Sequence, residues 1–149
     1  MDAPLLTDDF REFLRLLNAN RVEYLLVGGY AVGLHGYPRA TVDLDIWVRP
    51  NPSNAGRVLA SVREFGFDLP TLDPALFVDA RSVVRFGVPP FRIEVMTSID
   101  GVEFEACRAN AIEFDVDGLG VPVIGLSDLK RNKRAAGRHK DLADLENLP

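Results

Sequence analysis

Only one cysteine stands among the 149 residues of this chain, so Cys107 has no partner for an internal disulfide and reads as a small buried hydrophobe. No stretch approaches the roughly 18 consecutive apolar residues of a membrane-spanning helix, and a membrane role is therefore not expected. Basic charge is in deficit as well. Lys and Arg number 17 against 22 Asp and Glu, a net charge of −5 that argues against broad electrostatic attraction to nucleic acid. The opening "MDAPLLTDDF" is acidic where a secretory signal is basic, so the expected location is the cytoplasm. With no internal repeat and no low-complexity linker, residues 1–149 are expected to form a single domain.

What is present is an ordinary globular composition, 47% hydrophobic and 26% charged. Thr7 or Asp8 can cap a helix whose Phe10, Phe13, Leu14 and Leu17 share one face, ending near Asn18-Ala19-Asn20. "VEYLLVGG" predicts a buried strand running into a Gly-Gly turn, with a short helix in "YAVGLHG". After a strand in "TVDLDIWV", the spacing of Val58, Leu59, Val62 and Phe65 predicts a helix over "AGRVLASVREFG" that stops at Gly66. "SVVRFGV" and "FRIEVMTSI" read as strands joined by a Pro-Pro turn, and "AIEFDVDGLGVPVI" as a hairpin about Asp117-Gly118. Two helices close the chain, "LSDLKRNKRAAG", capped by Ser127 and ended by Gly137, and "KDLADLENL". The fold class expected is α+β, a mixed sheet with helices packed on it.

Period-two alternation in "TVDLDIWV" places Asp43 and Asp45 on one face and Val42, Leu44 and Ile46 on the other. Folding alone gives no reason for this. Like charges at that spacing repel unless they are solvated, protonated or neutralised by a cation. A third acid sits in the same apolar setting at Ile93-Glu94-Val95, and a neighbouring strand would bring Glu94 beside the pair. Three oxygen ligands with open positions suit Mg²⁺ bridging substrate phosphates, commonly as two ions. A lone Asp-x-Asp would more often mark only the wet face of an edge strand.

The combination is more specific. Val27-Gly28-Gly29, then Asp43-Leu44-Asp45-Ile46, then Ile93-Glu94-Val95 resembles, in order, the signature of the nucleotidyltransferase superfamily, whose fold is that of the DNA polymerase beta palm. "YPRATVDLDI" with the tail "KRNKRAAGRHKDLADLENL" is similar to the small bacterial branch that includes the toxins of abortive-infection toxin-antitoxin systems. The resemblance implies an NTP substrate whose phosphates approach the amides of Gly28 and Gly29, a triphosphate contact at Lys133, and a candidate general base at Asp141. It implies transfer of an NMP to an acceptor hydroxyl on an RNA end, a protein or a small molecule. The chain departs from the pattern in two places: Tyr30 follows the glycines where a serine is common, and Glu stands at 94 where Asp is usual.

Arg39 reads equally as a triphosphate-steering cation and as a surface ion-pair partner of Asp43. His35 reads as a helix-end residue. Trp47 reads first as core, with a place bordering the acids as the alternative. Lys130, Arg131, Lys133, Arg134, Arg138 and Lys140 form the one basic concentration, expected to contact phosphate or RNA rather than to be only a solvated face. Loss of Lys133 is expected to weaken nucleotide binding while leaving the unliganded melting temperature nearly unchanged. Two other classes stay open: a non-catalytic nucleotide-binding or antitoxin-like regulatory partner of another protein, and a metal-dependent nuclease, which leaves the glycine pair unexplained.

Overall fold

The computed structural model describes residues 6–68 and 70–149. Its six strands form one mixed sheet in the order β3-β4-β2-β1-β6-β5. They are β1 (Tyr24–Val27), β2 (Asp43–Val48), β3 (Val83–Phe86), β4 (Arg92–Met96), β5 (Ile112–Val116) and β6 (Leu119–Val123). The pairs β2–β4 and β1–β6 are parallel, and the other three are antiparallel. Six α-helices accompany them among the described residues: α1 (Asp8–Ala19), α2 (Gly28–Leu34), α3 (Pro52–Glu64), α4 (Phe104–Ala109), α5 (Leu126–Ala136) and α6 (His139–Asn147). The α+β expectation holds. No described helix is long and apolar enough to cross a membrane.

Helix α1 starts where the side chain predicts, because Thr7 Oγ1 accepts from the Phe10 amide at 3.1 Å and so satisfies one otherwise unpaired helix donor, worth about 1 kcal/mol. Its apolar stripe, Phe10, Phe13, Leu14 and Leu17, is fully buried. Phe13 meets Phe65 and Phe86 edge-on, each at 5.3 Å. Because Phe86 is the register partner of Ile93, and Ile93 of Leu44, α1 covers the sheet face that the acids do not occupy. Removing a side chain such as Leu14 from this layer forfeits roughly 2–5 kcal/mol.

Several boundaries move for local reasons. Gly28 and Gly29 do not form a separate turn; α2 begins at Gly28 itself, whose φ of 68° swings the chain directly from strand to helix. Helix α3 begins earlier than Ala55, with Pro52 at its first position and the Asn51 side chain accepting from the Asn54 amide at 2.8 Å. Helix α5 is capped by Gly125, and Ser127 lies inside the first turn. Its far end matches expectation: Gly137, at φ 65°, closes it in the left-handed conformation. Helix α4 has too short a pattern to be read from the sequence. It seats Phe104 edge-on against Trp47 at 5.2 Å on the acid-bearing face of the sheet.

Candidate active site

Register brings the acids together. Across the parallel β2–β4 pair, Asp45 is the Cα partner of Glu94 and Asp43 that of Arg92. Since side chains alternate faces along a strand, Asp43, Asp45 and Glu94 all emerge on one side, as the sequence pattern expects. The same row continues to β3, where Arg85 opposes Glu94 and its Nε donates to Glu94 Oε1 at 2.7 Å. Burial pushes the Asp45 carboxyl up to about 7, and the charges of Glu94 and Asp43 add to the rise, while Lys140 pulls against it. Asp45 is therefore the acid least able to carry its charge without a cation.

The glycine pair abuts this group. A Cβ on Gly28 would lie 2.0 Å from Asp45 Oδ2, and one on Gly29 2.7 Å from Thr41 Oγ1 and 3.3 Å from Arg39 Nη1. A side chain at Gly28 would have to displace the Asp45 carboxylate, and one at Gly29 the Thr41 side chain. No side chain caps α2, and the first N–H groups of a helix have no intrahelical partner, so these amides stand free beside the carboxylates. Hydrogen-bond donors in that position suit a phosphate oxygen.

On the other wall, a buried charge cluster binds α5, α6 and the segment after α2. Lys133 Nζ lies 3.1 Å from both Asp141 Oδ1 and Asp144 Oδ2. Arg138 Nε donates to Asp141 Oδ2 at 2.7 Å and Arg39 Nε to Asp144 Oδ1 at 2.8 Å. The Arg138 backbone N–H also donates to Asp141 Oδ2, at 3.2 Å, closing the first turn of α6. Burial works to raise both carboxyls, but the donors outweigh it and hold Asp141 and Asp144 below the ordinary aspartate range. Asp141 and Asp144 share a helix face because they are three residues apart.

These parts line a cleft of about 410 Å³ that includes Gly28, Gly29, Asp43, Asp45, Glu94 and Lys133. A larger hollow, about 650 Å³, lies elsewhere among Arg21, Tyr24, Arg108 and Glu113. It gathers no comparable set of carboxylates and glycine amides, so chemistry rather than size identifies the site.

Arg39 lines the cleft, and its carboxylate partner is Asp144, not Asp43. Lys133 also lines it but is almost fully buried between two aspartates, so its loss is now expected to destabilise the unliganded protein rather than to leave its melting temperature nearly unchanged. Asp141 is wholly buried and occupied by Lys133 and Arg138. His35 ends α2, its Nε2 2.7 Å from the Ile124 carbonyl oxygen. Trp47 is core. Sequence reading passed over Arg85 and Asp144. Arg85 is one position in an alternating strand, and Asp144 repeats Asp141 at helical spacing, a signal that was available.

Among the described residues, no three His, Cys, Asp or Glu side chains are already closed around one metal position. The donor chemistry nevertheless fits a hard divalent cation. Asp43, Asp45 and Glu94 offer only oxygens and face one cleft, and burial first, with the neighbouring acids adding to it, raises the Asp45 pKa in a way that a cation would offset.

The fold is that of nucleotidyltransferases. It is similar to a Thermotoga maritima protein provisionally assigned as a nucleotidyltransferase, with TM-score 0.63 and 16% identity over 92% of this chain and 88% of that one. It is similar also to the lincosamide antibiotic adenylyltransferase LnuA, solved with lincomycin bound, with TM-score 0.58 and 14% identity over 96% of each chain. An antigenic nucleotidyltransferase-like protein from Paracoccidioides brasiliensis gives TM-score 0.57 and 18% identity over 97% of this chain and 77% of that one. No protein-family model and no curated protein sequence matches this chain.

Proposed function

We propose that this protein is a divalent-cation-dependent nucleotidyltransferase that moves an NMP from an NTP to an acceptor hydroxyl, releasing pyrophosphate. The observation that carries the reading is the side-by-side placement of Asp45 and Glu94 against the glycine pair in one cleft. Asp43, Asp45 and Glu94 would hold the cation, Mg²⁺ in the simplest case, and Asp45 is the acid that lies against Gly28. Bound there, one or two such ions would supply charge neutralisation for the entering and leaving oxygens of the displacement. Gly28 and Gly29 receive phosphate oxygens. The acceptor hydroxyl gives its proton to water and its oxygen bonds to the α-phosphorus; the bond to the bridging oxygen breaks, and pyrophosphate leaves with that electron pair.

The remaining charged residues act by placement. Arg85 orients Glu94, and Lys133 adds positive potential to the phosphate wall. Asp141 serves as a positioning residue that locks Lys133 and Arg138, since its carboxylate is already engaged by both. A second hollow of about 570 Å³ shares Val83, Ser98, Ile99 and Asp100 with the cleft and gives an acceptor a seat beside it. The fold's occurrence in a lincosamide adenylyltransferase makes small molecules the first acceptors to screen, ahead of RNA ends and proteins.

The test is incubation with α-labelled NTPs, Mg²⁺ and a cell extract, following pyrophosphate and the labelled product. Transfer of label with stoichiometric pyrophosphate supports the reading. If none of the four NTPs yields pyrophosphate or raises the melting temperature, the non-catalytic, antitoxin-like reading replaces it.

A further inference from the structure

Five cationic side chains line the acid-bearing cleft: Arg39, Arg85, Lys133, Arg138 and Lys140. Four of them are already committed. Arg85 pairs with Glu94, Arg39 with Asp144, Arg138 with Asp141, and Lys133 with both aspartates. Lys140 is exposed and has no carboxylate within salt-bridge distance among the described residues. We infer that Lys140, rather than Lys133, grips the β- and γ-phosphates of the nucleotide, an inference that rests on the nucleotidyl-transfer reading.

Lys133 is in the wrong state for that work. Turning its ammonium toward a phosphate would break two buried ion pairs at once, leaving Asp141 to Arg138 alone and Asp144 to Arg39 alone, and breaking buried pairs is strongly unfavourable. Its role is to weld α5 to α6. That weld fixes the start of α6, where Lys140 follows the capping turn of Arg138 and precedes Asp141. Lys140 carries a compact point charge on a four-carbon stem, a form suited to phosphate and free to swing into the cleft. It lines the same cleft as Asp43, Asp45 and Glu94, which places it within electrostatic reach of the acids. Without Lys140 the cleft would offer polyphosphate no uncommitted cationic side chain.

The experiment measures binding of inorganic tripolyphosphate and of each NTP, with Mg²⁺, to wild type, Lys140→Ala, Lys140→Arg and Lys133→Met, together with unliganded melting temperatures. Lys140→Ala is expected to weaken tripolyphosphate at least about tenfold and raise KM for the NTP, with its melting temperature unchanged. Lys140→Arg should recover part of the affinity, which a purely structural role would not require. Lys133→Met should lower the melting temperature. Equal tripolyphosphate affinity in Lys140→Ala and wild type, with wild type binding NTP, overturns the inference and leaves the nucleotide reading intact. Wild type that binds neither tripolyphosphate nor any NTP overturns both.

Discussion

Asp45 and Glu94 are direct partners across the parallel β2–β4 pair, so two carboxylates 49 positions apart in the chain share one wall of one cleft. Burial, and after it the charge of Glu94, pushes the Asp45 pKa up to about 7. With no cation beside it that is an unfavourable arrangement, and strongly perturbed carboxyls of this kind cluster at functional sites.

Replacing Asp45 by Asn keeps the shape and removes the charge. NMP transfer should fall more than about 100-fold, because a metal ion's stabilisation of transition-state charge is worth several kcal/mol. Circular dichroism should be unchanged. A folded variant that transfers NMP at the wild-type rate would remove Asp45 from the cation-binding set. An exposed residue without a role would alter stability by only a few tenths of a kcal/mol.

The same residue sets a pH dependence with a definite sign. Its folded pKa lies above the unfolded 3.8, so the native state binds more protons in between, and stability is lost as pH rises from about 4 through about 7. The loss is on the order of 2–4 kcal/mol for a shift of this size. Without divalent cation, wild type should melt lower at pH 8 than at pH 5, and Asp45→Asn should flatten that slope and melt higher than wild type at pH 8. Mg²⁺ or Mn²⁺ alone should raise the wild-type melting temperature at pH 8 and leave Asp45→Asn unmoved. A slope of the same size in the variant would assign the effect to other groups. Asp141 and Asp144, whose pKa values are lowered, act the other way, losing their contribution only as pH falls below about 4.

Gly28→Ala tests the close approach of backbone to acid. A methyl group there meets Asp45 Oδ2 at 2.0 Å and must adopt φ 68°. The backbone conformation alone costs roughly 1–2 kcal/mol, and the displaced carboxylate should reduce transfer at least about tenfold. Melting by calorimetry and initial rates of pyrophosphate release check the two effects separately. An alanine variant with wild-type stability and rate would show that neither contact constrains the site.

Local chemistry was readable along the chain. Thr7 marks the start of α1 by its hydroxyl, Gly137 the end of α5 by its tolerance of positive φ, and period-two alternation puts Asp43 and Asp45 on one face without reference to any neighbour. These depend on residues within a turn or two of each other. Where the pattern was short, as in the six residues of α4, or where a glycine served strand end and helix start at once, as at Gly28, local rules were insufficient.

Pairing at long range was decided only by the tertiary structure. Both Arg39 and Lys133 carry a positive charge in any reading of the sequence, but whether that charge is free for a substrate depends on which carboxylates fold against it. Asp144, 105 positions from Arg39, settles the matter for one, and Asp141 with Asp144 for the other. Lys140 is left uncommitted because α6 turns Asp141 and Asp144 inward while Lys140 stays exposed at the cleft. A sequence lists charges; burial and distance determine which are neutralised, since the energy of a charge pair depends on separation and surrounding dielectric, and neither exists until the chain has folded.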